Sequence, residues 1–402
     1  MKPYPPAFII STPTAIQQPL STFMLFSQLL MSVHWPEIVF IVFCLITAVQ
    51  VFYYLFFFSR FAFYKKPKRE SSMQHAVSVI VCARDEAQNL ADNLPDVLQQ
   101  DYKSTFEVVA VNDNSFDDSK YVLEYLSKPF RNLRPIELKQ EARLIQGKKF
   151  PLSMGIKESK YELLLLTDAD CKPASNKWIE LMQDAFSNGK EIALGYGAYY
   201  KKPGLLNKLI RFETFLSALQ YFSYALAGMP YMGVGRNLAY RKELFFRNKG
   251  FSSHNQLPGG DDDLFINKVA TKTNTAIVID EEAFTFSEPK TSWSQWRSQK
   301  TRHYSTSKHY KSKHKFWLGL YAAAHFLFYP LLVVAAIFYC WWIALSVFAF
   351  RLIVQGIVYS RSMQKLNEKD LIWLYPLLDI WQWFYYLFFA NTLFKKPGNN
   401  WK

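Results

Sequence analysis

The sequence predicts an α/β fold: a mostly parallel, Rossmann-like sheet in a central domain, set between apolar helical segments at both ends. Three observations carry this. From about Val77 the chain alternates between strand-like and helix-like patterns, the signature of a sheet built with crossover helices. The uninterrupted apolar run Leu163–Leu166 reads as a strand buried on both faces, as in a parallel sheet. Two long stretches, Ile38–Ser59 and Phe316–Phe350, contain no Asp, Glu, Lys or Arg.

Residues 1–34 are Pro-rich and then moderately apolar, and Leu20–Val33 is expected to lie at a membrane interface. Residues 35–59 read as an anchor: at ~1.5 Å per residue, Ile38–Ser59 reaches ~30 Å, enough to cross a bilayer. Trp35 precedes it and Arg60, Lys65, Lys66, Lys68 and Arg69 follow, so the positive-inside rule places the next domain in the cytoplasm. The segment starts too far from Met1, without a basic leader, to read as a cleaved signal peptide. An integral protein of the cell's inner membrane is the expected setting. The four cysteines, Cys44, Cys82, Cys171 and Cys340, have neither disulfide-framework nor zinc spacing, in keeping with a reducing compartment. A net charge of +14 points to anionic headgroups or a polyphosphate ligand. No nucleic-acid-binding motif accompanies that charge, so nucleic acid is not an expected partner.

Residues 70–290 form the expected α/β domain. Val77–Cys82 is a strand, followed by a polar turn and a helix over Asn89–Gln100. Phe106–Val111 is a second strand, ending in Asn112-Asp113-Asn114-Ser115, and Ser119–Ser127 reads as a helix. Leu163–Leu166 is the third strand and Ile192–Tyr200 the fourth. Residues 291–315, with Arg297, Lys300, Arg302, Lys308, Lys311, Lys313 and Lys315, read as a basic interfacial segment.

Phe316–Phe350 is 35 residues long, too long for one span at ~20 residues each, and Pro330 and Tyr339–Trp342 are the expected breaks. Leu371–Phe394 is interrupted only by Asp379. Residues 316–394 therefore read as two or three spans (roughly 316–338, 341–360 and 371–394), with 395–402 a tail. Whether Lys395 and Lys396 share the domain's side depends on that number. Arg351 and Asp379 are isolated charges in apolar runs, costing at least ~2.5 kcal/mol each by insertion scales. Both lie 14 residues from the centre of the polar loop near residue 365. An antiparallel hairpin sets them at one depth, and they are expected to pair.

The chemistry begins at the end of the Leu-rich strand. Asp168 and Asp170 stand one residue apart where a parallel sheet opens into a ligand crevice. Two carboxylates at this spacing reach one hard cation, Mg²⁺ or Mn²⁺, which keeps open positions for substrate phosphates. Ala83, Arg84, Asp85 and Glu86 follow the first strand and face the same crevice; no GxGxxG accompanies them. A carboxylate at Asp113 suits the N3–H of uracil, with a helix-capping Asx turn as the alternative. Gly259-Gly-Asp-Asp-Asp-Leu264 opens a helix, and three adjacent acids repel one another enough to raise one pKa toward that of a general base.

With these elements in this order, residues 77 to about 310 resemble a membrane-anchored family 2 glycosyltransferase with a GT-A fold. The resemblance implies an inverting, metal-dependent transfer of a sugar from a nucleotide-sugar donor, usually a UDP-sugar, to a lipid-linked or glycan acceptor. Val111-Asn-Asp-Asn-Ser-Phe-Asp-Asp118 is similar to the family's D-D-G-S-x-D turn, and Gly147-Lys148-Lys149 to its GK segment, whose lysine lies near the diphosphate. Asp168 and Asp170 match the DxD motif: Asp170 is the implied metal ligand, and Asp168 lies near metal or ribose. The donor-binding set is thus Ala83, Arg84, Glu86, Asp113, Lys148 and Asp168. Gly259–Leu264 resembles G-E-D-x-D-L, which makes Asp261 the implied base, or Asp262 if the register differs by one. Gly260 stands where Glu is usual, and Asp85 where Asn is usual. Gly233-Val-Gly-Arg-Asn237 resembles a loop beside the acceptor. Gln299-Lys-Thr-Arg-His303 resembles the Q-x-x-R-W motif of processive synthases, with His303 in place of Trp. The resemblance then implies Gly235, Arg236, Asn237, Gln299 and His303 on the acceptor, and Arg302 on the leaving diphosphate. A processive synthase and exporter is the alternative within enzymes; a non-catalytic membrane scaffold is the alternative outside them.

Overall fold

The computed structural model describes residues 34–66, 74–139, 147–257 and 259–390. The expected interfacial segment Leu20–Val33, the basic Lys68 and Arg69, and the tail 395–402 lie outside the described residues.

Helix α1, Trp35–Ala62, is mostly apolar and carries a π-helical stretch at Tyr53–Phe58. Then β1 (Val77–Ala83), with all seven residues buried, leads into α2 (Ala87–Leu98), which lays Leu90, Leu94, Val97 and Leu98 on the sheet as one helical face. Next come β2 (Phe106–Asp113), α3 (Ser119–Ser127), β3 (Leu133–Leu138) and α4 (Lys149–Glu158). The Leu-rich β4 (Leu163–Asp168) is followed by β5 (Cys171–Pro173), α5 (Trp178–Gln183), β6 (Ile192–Leu194), β7 (Gly197–Tyr199) and the long α6 (Leu205–Leu226). The domain closes with β8 (Leu238–Arg241), α7 (Lys242–Arg247), α8 (Asp263–Val269), β9 (Thr275–Ile277) and β10 (Thr285–Ser287). Four helices end the described chain: α9 (Trp293–Ser307), α10 (Ser312–Ala335), α11 (Trp341–Lys365) and α12 (Tyr375–Ala390).

The main sheet runs β3-β2-β1-β4-β8-β6-β9. The four strands from β3 to β4 are parallel, whereas β8 is antiparallel to both β4 and β6. A small second sheet, β5-β10-β7, stands beside the lip where β4 ends. Along β4 the leucines alternate: Leu163 and Leu165 enter the core under α2, while Leu164 and Leu166 enter the one under α4 and α6. The latter core does not stop at the sheet. It passes through Phe212, Phe215 and Phe222 of α6 to Tyr53, Tyr54, Phe57 and Phe61 of α1 and to Val358, Tyr359 and Met363 of α11.

The expected fourth strand, Ile192–Tyr200, is two strands in different sheets. Between them, a Cβ on Gly195 would lie 2.5 Å from the Asn237 side chain, and Asn237 donates to Tyr196 O. The backbone closes on that amide and leaves the main sheet. Pro330 does not break its helix either: α10 runs through it. A proline at 330 withholds the N–H that Phe326 O would accept, and the Trp383 indole N–H donates to that carbonyl instead, at 2.7 Å. The break falls at Cys340, whose backbone turns extended (φ −156°, ψ 108°) between α10 and α11.

Two helical stretches, Trp35–Ala62 and Ser312–Lys365, are long and apolar enough to cross a membrane. Arg351 of the second stretch and Asp379 of α12 pair as the hairpin symmetry requires, with Nη1–Oδ2 at 2.5 Å and Nη2–Oδ1 at 3.2 Å. Their remaining hydrogen-bonding capacity is filled from three helices. Arg351 also donates to Gln50 and Tyr54 of α1 and to Gln355 of α11, while Tyr329 of α10 and Gln355 donate to Asp379. Breaking such a pair from one side strands the other charge. Asp379→Asn and Arg351→Gln are each expected to destabilise the protein by about 3–5 kcal/mol, and the double variant by clearly less than their sum. Thermal unfolding of the four forms in detergent checks this; additive losses would refute the coupling.

Candidate active site

The acid pair lies where the sheet reverses direction. Parallel register sets Cys82 level with Asp168 and Ala83 level with Asn112, so the ends of β1, β2 and β4 form one lip. Charges converge there. Burial pushes the Cys82 thiol up to about 12, and Lys148, Asp168, Asp261 and Asp113 are all near enough to act on it electrostatically. Four residues drawn from four separate segments therefore lie within electrostatic reach of the end of β1.

Asp168, Asp170 and Cys171 offer ligand atoms within 4.8 Å of one another. The two carboxylates are the hard oxygen donors that Mg²⁺ and Mn²⁺ favour. Burial, with the charges of Asp170 and Asp168, holds the Cys171 thiol well above its usual range, so its S–H faces Asp170 Oδ1 at 3.5 Å as a donor. Ser287 supports the thiol from β10, at 3.0 Å. Asp168 is ion-paired with Lys148. Burial alone would raise its pKa, but Lys148 outweighs that, helped by the charges of Arg236 and Arg302, and the carboxyl is held below the usual range. Asp170 goes the other way, raised by burial and by Asp168. The charge of Glu86 also reaches Asp170, which places the loop after β1 at the same site.

The loops after β1 and β2 are locked together. Asp85 (φ +52°) and Asn114 (φ +56°) both adopt the left-handed conformation, which Asn and Asp tolerate best after Gly. This accounts for an Asp where Asn is usual. Asp85 N–H donates to Ser115 Oγ at 2.9 Å, and Asp85 Oδ1 accepts from Phe116 N–H at 2.8 Å. Asp117 accepts from Ala87 N–H at the start of α2 and from Ser119 N–H, so it too joins the loops. Asp113 is buried at the end of β2, and Arg84 is partly exposed beside Asp85.

The three consecutive acids are held differently. Asp262 caps α8: its Oδ1 accepts from Asp263 N–H and its Oδ2 from Gly235 N–H, both at 2.7 Å. Burial and the charges of Asp261 and Asp263 push its carboxyl up to about 8. Asp263 is buried and accepts from Thr306 (2.5 Å) and Tyr310 (2.7 Å). The Asp261 carboxylate has no hydrogen-bond partner among the described residues, and its charge acts on Lys148 and Lys149. Gly260 has φ +95°, and a Cβ there would meet Leu264 at 2.5 Å, which explains glycine where glutamate is usual.

The expected acceptor set divides. Arg236 stacks on Tyr199 (4.4 Å to the ring centroid), donates to Gly197 O at 2.9 Å, and extends its charge to Asp168 and Asp170. It belongs to the acid pair as much as to any acceptor. Gln299 donates to Tyr199 Oη at 3.2 Å, while its buried Oε1 has no partner among the described residues. His303 is exposed on α9 next to Arg302; the surrounding protein and the charges of Lys300, Arg302 and Arg236 lower its pKa from the usual imidazole value. Gly235 turns its N–H to Asp262. Asn237 is the correction. It is fully buried, donating to Tyr196 O and Ala283 O and accepting from the Trp178 indole, so it holds the two sheets together and faces no substrate. Sequence reasoning passed over Tyr199, the thiol of Cys171 and Lys149, although the Lys148-Lys149 doublet and the Asp170-Cys171 adjacency were visible.

Residues 78–246 match the family model described as Glycosyl transferase family 2. A poly-beta-1,6-N-acetyl-D-glucosamine synthase of Staphylococcus epidermidis is 25% identical over 207 residues, covering 50% of this chain and 43% of that protein. Glycosyltransferase AglE of Haloferax volcanii is 34% identical over 105 residues, 26% of this chain and 33% of that protein. The chain thus spans less than half the length of these curated relatives. Among solved structures, the mannosyltransferase PcManGT from Pyrobaculum calidifontis, in complex with GDP-Man and Mn²⁺, superposes with a TM-score of 0.54 at 18% identity, covering 86% of this chain and 99% of that one. That likeness establishes the GT-A fold.

Two outcomes follow from this geometry. Asn237→Ala strands two carbonyls and an indole N–H, at about 1–3 kcal/mol per unsatisfied group, and should lower stability by at least about 2 kcal/mol in a thermal or denaturant melt. Asp262 binds its proton more tightly folded than unfolded, so its contribution to stability is fully present below pH ~4 and declines as pH rises to about 8. Melting temperature against pH should therefore fall less steeply across that window in Asp262→Asn than in the wild type; parallel curves would contradict it.

Proposed function

We propose that this chain, which carries a family 2 glycosyltransferase domain, is an inverting, metal-dependent glycosyltransferase. It would move a sugar from a nucleotide-sugar donor, a UDP-sugar by the Asp113 reading, to a lipid-linked or glycan acceptor. The observation that carries this is the convergence of Asp168, Asp261, Asp113 and Lys148 around the end of β1. In this reading, donor-side and acceptor-side groups would share one cleft.

In this reading Asp168 and Asp170 would hold Mg²⁺ or Mn²⁺, which when bound offsets diphosphate charge and favours its departure. Asp261, with no hydrogen bond to compete for its lone pairs, takes the proton of the acceptor hydroxyl as that oxygen bonds to the anomeric carbon. The bond from that carbon to the diphosphate oxygen breaks on the opposite face, inverting the centre. Lys148, Arg236 and Arg302 supply positive charge around the departing group. Asp262 keeps its oxygens on Gly235 and Asp263 and shapes the loop.

The basic groups argue for anchorage with the domain on the cytoplasmic face of the inner membrane. Arg60 lies in the last turn of α1, with Lys65 and Lys66 just after it; Lys311, Lys313 and Lys315 open α10, and Arg361 and Lys365 close α11. These ends meet: Lys365 Nζ donates to Tyr64 O at 2.8 Å and Tyr53 Oη to Trp317 O at 2.6 Å. The helices enter the bilayer from one side, consistent with the positive-inside rule. A processive synthase is the second reading, favoured by Gln299 beside Tyr199 and by the named synthase; chain-length analysis of the product separates the two.

The deciding experiment pans UDP- and GDP-sugars with Mn²⁺ for nucleoside-diphosphate release by the full chain in detergent. One donor should turn over. Chelation of the metal or Asp170→Asn should abolish that turnover, and Asp261→Asn should lower it by about 10²–10⁴-fold while retaining donor binding. Silence with every donor, or full activity in Asp170→Asn, would refute the proposal.

A further inference from the structure

The second lysine of the Gly147-Lys148-Lys149 turn takes no part in the chemistry above. Its side chain is completely buried, and an ammonium in that position is costly unless polar groups close around it. Two backbone carbonyls do so: Nζ donates to His254 O at 3.0 Å and to Leu257 O. The same loop is closed further along by the His254 ring, whose Nε2 meets Gly260 O at 2.8 Å, and Asp261 follows directly. Among the described residues no carboxylate forms an ion pair with Lys149. The negative charges that act on it are Asp261, Asp263 and Asp262, though burial outweighs them and lowers its pKa from the usual lysine value.

We propose that Lys149 is a positioning residue for the acceptor base: it staples the 254–260 loop that presents Asp261. It also joins that loop, through one peptide unit, to Lys148 on Asp168. The two lysines divide the cleft. Lys148 serves the donor side, and Lys149 serves the acceptor side without touching either substrate. This rests on the reading of Asp261 as the base.

A lysine that merely filled space would, on removal, loosen the domain as a whole. A staple would loosen one loop. The test compares the full chain in detergent with Lys149→Met, which keeps the apolar stem, and Lys149→Gln, which keeps N–H donors without the charge. Amide hydrogen exchange is followed across 254–262. Affinity is measured for UDP and for GDP with Mn²⁺, and kcat is measured with the donor that turns over. In Lys149→Met, exchange should accelerate within 254–262 while α4 and β4 keep wild-type protection. Nucleotide affinity should hold and kcat should fall about 10²-fold, the scale of a misplaced reacting group. Lys149→Gln should recover part of both effects. An unchanged loop in Lys149→Met overturns the proposal. So does a loss of nucleotide affinity as large as the loss of kcat, or general loosening in both variants. The exchange measurement needs no turnover, so an inactive wild type would refute the transfer reading while the staple is still tested.

Discussion

The burial of β4 on both faces is the constraint on which the site depends. A strand with no solvent side has no tolerance for a register slip, because moving by one residue would exchange its two sets of leucines between cores. Leu163 and Leu165 serve one core, Leu164 and Leu166 the other. Neighbours fix the strand further: β1 runs parallel to it and β8 antiparallel. The change of direction at β4 leaves a crevice at its C-terminal end, and Asp168 and Asp170 have nowhere else to be. Thr167 strengthens the placement by donating to Arg236 O at 3.0 Å, so the residue that stacks on Tyr199 is hung from the same strand.

Three consecutive acids next to that crevice would repel one another if all faced it. The structure resolves the conflict by giving each a different environment. Asp263 turns into the protein and is satisfied by Thr306 and Tyr310. Asp262 turns onto backbone N–H groups and caps α8. Asp261 alone keeps its oxygens uncommitted among the described residues. Raised carboxyls do occur, on the capping Asp262 and the inward-facing Asp263, and burial is their first cause ahead of the crowding. Geometry is the better guide to which acid meets a hydroxyl.

What the sequence disclosed was whatever depends on short range or on simple periodicity. The buried strand, the helix at Ser119–Ser127, the acid pair and the depth match of Arg351 with Asp379 are all of this kind. What stayed hidden depends on distant partners. Strands β8 to β10 are three or four residues long and carry no readable period, and β6 and β7 read as one strand rather than two. Helix α6 is buried on nearly all sides, Arg211 and Glu213 included, so it shows no polar stripe to identify it. Asn237 looked like a ligand contact because a polar residue in a glycine-rich loop usually is one. Its partners, Trp178, Tyr196 and Ala283, come from three other segments. Lys149 was indistinguishable from a solvated lysine for the same reason.

The Asp263 side of the cleft is tied to the apolar helices by a sequence of buried polar links. Asp263 binds Thr306 of α9. Lys300 of α9 pairs with Glu213 of α6, and Arg211 of α6 pairs with Glu368 at the tip of the hairpin between α11 and α12. Tyr196 also faces Glu368, at 3.4 Å. Ion pairs this deeply buried contribute little net stability, since desolvation offsets attraction, but separating one is costly. They therefore act less as glue than as spacers of fixed length. Alongside them runs the shared aromatic core from α6 to α1 and α11. Both connections tie the start of α8, next to Asp261, to the helices through α9, α6 and the tip of the α11–α12 hairpin. Under the transfer proposed above, an acceptor tethered to a membrane would meet Asp261 at one depth, and the apolar helices would take part in selecting it.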